Sequence, residues 1–151
     1  MTEREYNECV KEYADNVYRF ILKNMRHEED AKDVVQSAFE KLWINREKVE
    51  NIRAKSYLFT IAYHQMIDQI RKSKKVSLKE DFSSLPLATG ERFPQQVKEV
   101  LNRALYRLSE TQRSLILLKD YEGYCYEEIA AITSLSISQV KVYLHRARIQ
   151  L

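Results

Sequence analysis

Three sets of side chains in this sequence carry groups able to make specific polar contacts, and none of them is a catalytic set. Near the C-terminus Ser138, Gln139, Lys141, Val142, His145, Arg146 and Arg148 supply a hydroxyl, an amide, a methyl surface, an imidazole and three cations. Ser138, Lys141, Val142 and His145 can meet the edges of bases in a groove, while Arg146 and Arg148 are cations of the kind that hold phosphates. Earlier, Tyr57, Thr60, Tyr63, His64, Arg71 and Lys72 combine aromatic, hydroxyl, imidazole and cationic groups, which suit stacking on unpaired bases and holding the backbone that carries them. The third set, Asp33, Gln36, Ser37 and Glu40, is spaced i, i+3, i+4, i+7. It is one polar helix face, usually just solvated, that is also able to meet a protein partner.

For the C-terminal set to act as a unit, a helix must carry it. Val140, Leu144, Ala147 and Leu151 recur at i, i+4, i+7 and i+11 and predict a helix with one buried stripe. At about 100° per residue, Ser138, Lys141, Val142, His145 and Arg146 lie opposite that stripe. Ser136, followed three residues later by Gln139, makes a capping box that satisfies two orphan backbone donors and starts the helix. The same box competes with any base for the Gln139 amide. Glu127 to Ile132 predict a preceding short helix, and the three-residue corner between the two completes a helix-turn-helix. Charge follows the same division: Ser138 to Leu151 holds Lys141, Arg146 and Arg148 with no acid, whereas Asp120 to Glu128 holds four acids and no base. The plain alternative is an amphipathic helix with a solvated basic side, since such pairs also serve as packing units.

The second set requires a helix over Lys55 to Lys72, with Leu58, Ala62, Met66 and Ile70 as its core stripe and Tyr57, Thr60, His64 and Arg71 on the far side. Arg71, Lys72, Lys74 and Lys75 make a basic end suited to a helix C-terminus or a phosphate strand. Packing of Tyr57 and Tyr63 against a neighbour is the competing explanation. The third set lies on a helix that opens with Glu29, Asp30 and Asp33 after a break at Arg26 to Glu28 and buries Ala31, Val34, Val35, Ala38, Phe39 and Leu42. Residues 4–23 predict a first helix along Tyr6, Val10, Tyr13, Ala14, Val17 and Ile21, capped by Thr2 with Glu5. Asn45 to Ala54 is a connection.

From Ser73 to Gln96 periodicity disappears and both prolines and Gly90 gather, which predicts a flexible linker. Helical spacing resumes at Val97, Val100, Leu101, Leu105 and Leu108. Ser109 with Gln112 makes another capping box, opening a helix that ends near Gly123. The expected organisation is therefore residues 1–75, a linker over 76–96, and a four-helix unit over 97–151.

Two Gly and two Pro in 151 residues leave few turn residues, so the fold class expected is all-α, in two small helical domains. A net charge of +3 leaves any electrostatic case to local clustering. Cys9 and Cys125 have no paired spacing, which predicts buried thiols in a reducing compartment. No stretch reaches a membrane span and the N-terminus lacks the apolar core of a signal peptide, so a cytoplasmic chain without membrane insertion is expected. His27, His64 and His145 fall in separate elements with no Cys or carboxylate at ligand spacing, and no Gly-rich phosphate loop is present. No metal, cofactor, small-molecule substrate or enzymatic activity is expected.

Taken together, the chain resembles the extracytoplasmic-function group of bacterial sigma factors, the dissociable promoter-reading subunits of RNA polymerase. Ala31-Lys32-Asp33-Val34-Val35-Gln36, with Phe39, Leu42 and Trp43, looks like the region two helix that docks on the polymerase clamp; the resemblance makes Asp33, Gln36, Ser37 and Glu40 the core-binding face. Tyr57-Leu58, Ile61-Ala62, Asp68 and Arg71-Lys72 look like the promoter-melting helix. Leu108-Ser109-Glu110-Thr111-Gln112-Arg113, Glu128-Ile129-Ala130, Val140-Lys141 and Arg146-Ala147-Arg148 look like region four, which reads the minus-thirty-five element. Ser134 stands where the family usually has Gly in the corner, Tyr63-His64 where it commonly has Arg-Asn, and Ser109 where Pro is usual. The resemblance implies promoter DNA, core polymerase and an anti-sigma factor as partners. The rival functions are a free-standing helix-turn-helix regulator and a helical adaptor that binds only protein. Affinity for core polymerase separates all three.

Overall fold

A computed structural model describes residues 1–76 and 95–151. Among these residues there is no strand, and the chain divides into two compact units, one within Met1–Ser83 and one within Ser84–Leu151. Residues 77–94 of the expected linker lie outside the described residues.

The first unit holds α1 (Glu3–Met25), α2 (Glu28–Ile44) and α3 (Ala54–Val76), each packed on the other two. Thr2 and Glu5 form the expected capping box, with the Thr2 amide donating to Glu5 Oε1 at 2.8 Å and the Glu5 amide to Thr2 Oγ1 at 3.1 Å. Helix α1 stops at Arg26, which takes the left-handed conformation at φ 55°. His27 then caps α2, its Nδ1 accepting from the Asp30 amide at 3.3 Å. The apolar stripes converge: Val17, Phe20, Ile21, Val34, Ala38, Leu42, Leu58, Phe59, Ala62 and Met66 are all at most 1% exposed. A short 3-10 turn, Asn51–Arg53, leads into α3. That helix runs on past the Lys72 at which the sequence spacing ends it.

The second unit holds α4 (Gln95–Arg107), α5 (Glu110–Ile116), α6 (Tyr126–Thr133) and α7 (Ile137–Gln150). Only the end of α4 is anchored within it. Leu105 and Leu108 are buried, but Val97 and Val100, which the spacing placed on the same stripe, are exposed. Ser109 caps α5 by accepting from the Gln112 amide at 3.2 Å, while its hydroxyl, rather than its backbone amide, meets Gln112 Oε1 at 3.5 Å. The expected box is thus half formed. Buried Arg113 ties the two helices, with its guanidinium 4.7 Å from the Tyr106 ring centroid and Nη1 donating to the Leu108 carbonyl.

After α5 the chain widens into a π-helical turn, Leu117–Tyr121, closed by the Glu122 amide on the Leu117 carbonyl at 2.9 Å. Such turns insert an extra residue and re-aim side chains. Here Leu117 and Leu118 are both buried, while Lys119 and Asp120 turn toward the helix-turn-helix. Gly123 at φ 77° ends the segment. Cys125 begins α6 and is exposed, not buried as its lone occurrence suggested. It sits at a helix end, with its amide satisfied by Glu128 Oε1 at 3.1 Å.

Candidate nucleic-acid interface

The corner between α6 and α7 sets the geometry of the C-terminal set. Ser134 takes the left-handed conformation at φ 62°, ψ 28°, and its amide and that of Leu135 both donate to the Ala130 carbonyl. A serine therefore makes the turn that glycine makes most easily. Two residues on, the Ser136 amide donates to Gln139 Oε1 at 2.9 Å and the Gln139 amide to Ser136 Oγ at 3.1 Å. The capping box is complete. It occupies the carbonyl half of the Gln139 side chain, which leaves the amide nitrogen to point elsewhere.

Val140, Leu144 and Ala147 bury α7 against the rest of the unit, and Ser138, Gln139, Val142, His145 and Arg146 are exposed. Val142, at 44% exposure, presents methyl groups on the outer face, and Ile149 further along is 71% exposed. Leu151, expected on the buried stripe, is half exposed. Two exposed cations of α7 have partners within the unit. Lys141 lies beside the stripe, its ammonium 5.5 Å from the Tyr126 ring centroid. Arg148, on the same flank, donates from Nη2 to Asp120 Oδ1 at 3.1 Å. Lys119 joins this edge from the π-helical turn, 4.9 Å from the same Tyr126 ring. Neither Lys119 nor Tyr126 belonged to the expected set. No local spacing links them to Lys141, because only the fold brings the three together.

On α3 the outward set is shorter than expected. Tyr57, Thr60 and His64 are half-buried, and Arg71 and Lys72 are exposed. Tyr63 is 5% exposed and its ring lies edge-on to His64, centroids 5.2 Å apart. Its expected role as a contact to unpaired bases is corrected to packing: a phenol that contributes its apolar area to the core gains more than one held in water. Thr60 donates its hydroxyl to the Ser56 carbonyl at 2.7 Å, so it offers an oxygen acceptor and a methyl group rather than a free donor. On α2, Asp33, Gln36 and Glu40 are exposed and Ser37 is half-buried beside them; Gln36 Nε2 donates to Glu40 Oε1 at 3.3 Å. The four form one continuous polar strip backed by buried Ala31, Val34 and Ala38.

Among the described residues no group of three or more His, Cys, Asp or Glu is placed to hold a metal, and no helix is long and apolar enough to cross a membrane. The arrangement forms surfaces.

Comparison with known proteins divides the chain in the same way. Residues 9–76 match the family model of sigma-70 region 2, and residues 98–151 that of sigma-70 region 4. The RNA polymerase sigma factor SigV of Bacillus subtilis (strain 168) is 31% identical over 148 residues, covering 95% of this chain and 89% of SigV. The RNA polymerase sigma factor YlaC of the same organism is 28% identical over 152 residues, covering 95% of this chain and 88% of YlaC. Among solved structures, the sigma factor RpoE in complex with the anti-sigma factor NepR from Bartonella quintana superimposes with a TM-score of 0.83 at 25% identity, over 97% of this chain and 94% of that one.

Proposed function

From the premise that this chain belongs to the sigma-70 family of RNA polymerase sigma factors, in its extracytoplasmic-function group, we propose how its surfaces divide the work of transcription initiation. It binds core polymerase, converts it into a promoter-selective holoenzyme and assists strand opening, without chemistry of its own. The driving principle is mass action: a subunit that binds core and DNA together shifts polymerase toward the promoters it reads. It acts in the cytoplasm, where the polymerase is.

The core-binding surface is the α2 strip of Asp33, Gln36, Ser37 and Glu40. The melted strand meets Tyr57, Thr60 and His64, with Arg71 and Lys72 on its phosphates. At the upstream element Ser138, Val142, His145 and the amide nitrogen of Gln139 meet base edges, and Arg146 meets phosphate. The Bartonella RpoE was solved with an anti-sigma factor, which supports a protein inhibitor as a further partner of this chain. The observation that carries the reading is the presence, on one chain, of a region 2 unit with an exposed polar α2 strip and a region 4 unit with an exposed, cation-bearing α7.

The test is association with core polymerase. Asp33→Arg and Gln36→Ala should weaken it severalfold while leaving helicity and thermal midpoint near wild type. A chain that binds duplex DNA tightly alone and ignores core polymerase would instead be a free-standing regulator, and one that binds neither an adaptor.

A further inference from the structure

Lys119 and Lys141 come from different elements and converge on one aromatic ring. Their ammonium groups lie 4.9 and 5.5 Å from the Tyr126 centroid, so they are within about 10 Å of each other despite their like charge. Among the described residues neither has a carboxylate at ion-pair distance. The acid next to Lys119, Asp120, is taken by Arg148. The negative π face of Tyr126 is what both cations share, and it attracts cations without neutralising them. Two positive charges are therefore held ready at the edge of the helix-turn-helix, where α6 begins and α7 passes.

A strand of phosphodiesters fits this arrangement. Along one DNA strand phosphates recur about every 3.4 Å of axis, so two ammoniums about 10 Å apart or less address neighbouring phosphates. In a docked helix-turn-helix the helix before the recognition helix crosses the backbone, which brings the start of α6 to the strand. We propose that Lys119, Tyr126 and Lys141 form a phosphate clamp on the backbone beside the groove that α7 enters, with Tyr126 as the positioning residue and Lys141 as a backbone contact rather than a base reader. This rests on the reading of α7 given above. It adds Lys119 and Tyr126 to the interface and removes Lys141 from the specificity-determining set.

The experiment uses the full chain bound to core polymerase and a labelled duplex pool randomised over the upstream element, across a salt series. Lys119→Gln and Lys141→Gln should each lower the slope of log affinity on log salt by about 0.9, shrinking the affinity change between about 50 and 200 mM salt by about threefold to fourfold. Neither should alter the preferred sequence. Tyr126→Leu should flatten the slope although both lysines remain, and Tyr126→Phe, which keeps the ring, should restore it. That rescue separates positioning from mere folding, and if Tyr126→Leu does not fold, the lysine variants and Tyr126→Phe decide. An unchanged slope in Lys119→Gln, or a new preferred sequence in Lys141→Gln, overturns the clamp. If Ser138→Ala and Val142→Ala also leave the preferred sequence untouched, the reading of α7 itself has failed and the clamp falls with it; if they change the preference while Lys119→Gln keeps its slope, the clamp alone is wrong.

Discussion

Removing the Asp120 carboxylate should strengthen DNA binding by this protein, because the fold has already set Arg148, a cation of the expected interface, in an ion pair with it. The Nη2 to Oδ1 distance is 3.1 Å and both side chains are 46% exposed. A pair that open to water contributes about 0.2–1 kcal/mol, and a phosphate recruiting Arg148 must first replace that interaction. Asp120→Asn removes the competitor. Affinity for duplex DNA should rise by about 1.4-fold to fivefold, the same energy range read as a binding ratio. The unit containing α7 should lose a similar amount of stability, since the pair bridges α7 to the π-helical turn. Arg146, which is exposed and makes no ion pair among the described residues, serves as the reference: Arg146→Ala should lower the salt slope by about 0.9. Arg148→Ala should lower it by less in the native background and by a full contact alongside Asp120→Asn. Fluorescence anisotropy of a labelled duplex titrated with holoenzyme at several salt concentrations reads both quantities. If Asp120→Asn leaves affinity unchanged while Arg148→Ala flattens the slope by a full contact in both backgrounds, Asp120 does not compete and the reasoning is refuted.

Tyr57→Ala should depress open-complex formation on a duplex promoter more than on one carrying a pre-melted bubble, measured by permanganate footprinting; equal losses on both templates would assign Tyr57 to packing. At the corner, Ser134→Val puts a β-branched side chain at φ 62° and should destabilise the second unit by about 2 kcal/mol in urea unfolding, whereas Ser134→Gly should stay within about 0.5 kcal/mol, strain relief offsetting the added freedom of the unfolded chain. Cys9 gives a pH signature. Burial first, then the Glu12 carboxylate, push its thiol from about 9 to about 11, so the unfolded chain ionises before the folded one. The stability this contributes is complete below pH 9 and is lost as pH rises from 9 to 11. Urea midpoints of Cys9→Ala should fall less than those of the native chain across that window, and parallel curves would contradict the assignment.

The local arithmetic of this sequence decided its helices. Thr2 with Glu5 and Ser136 with Gln139 form complete capping boxes, because capping depends on residues three apart and nothing further away. The stripes of α2, α3 and α7 are buried largely as the 3.6-residue period requires. The family resemblance was legible for the same reason, since its motifs are short runs within single helices. Position along a stripe was not enough at the ends: Val97, Val100 and Leu151 have the right spacing and stay exposed, since a periodic face is buried only where another element arrives to cover it. Tyr63 went the other way, because period alone does not say on which side of α3 a neighbour packs. The edge of the interface was wholly tertiary. A π-helical turn, which no sequence period announces, aims Lys119 at Tyr126 and Asp120 at Arg148. Which cations of α7 remain available to DNA therefore depends on side chains more than ten residues away, and electrostatic pairing at that range follows from where the chain folds, not from how its residues are spaced.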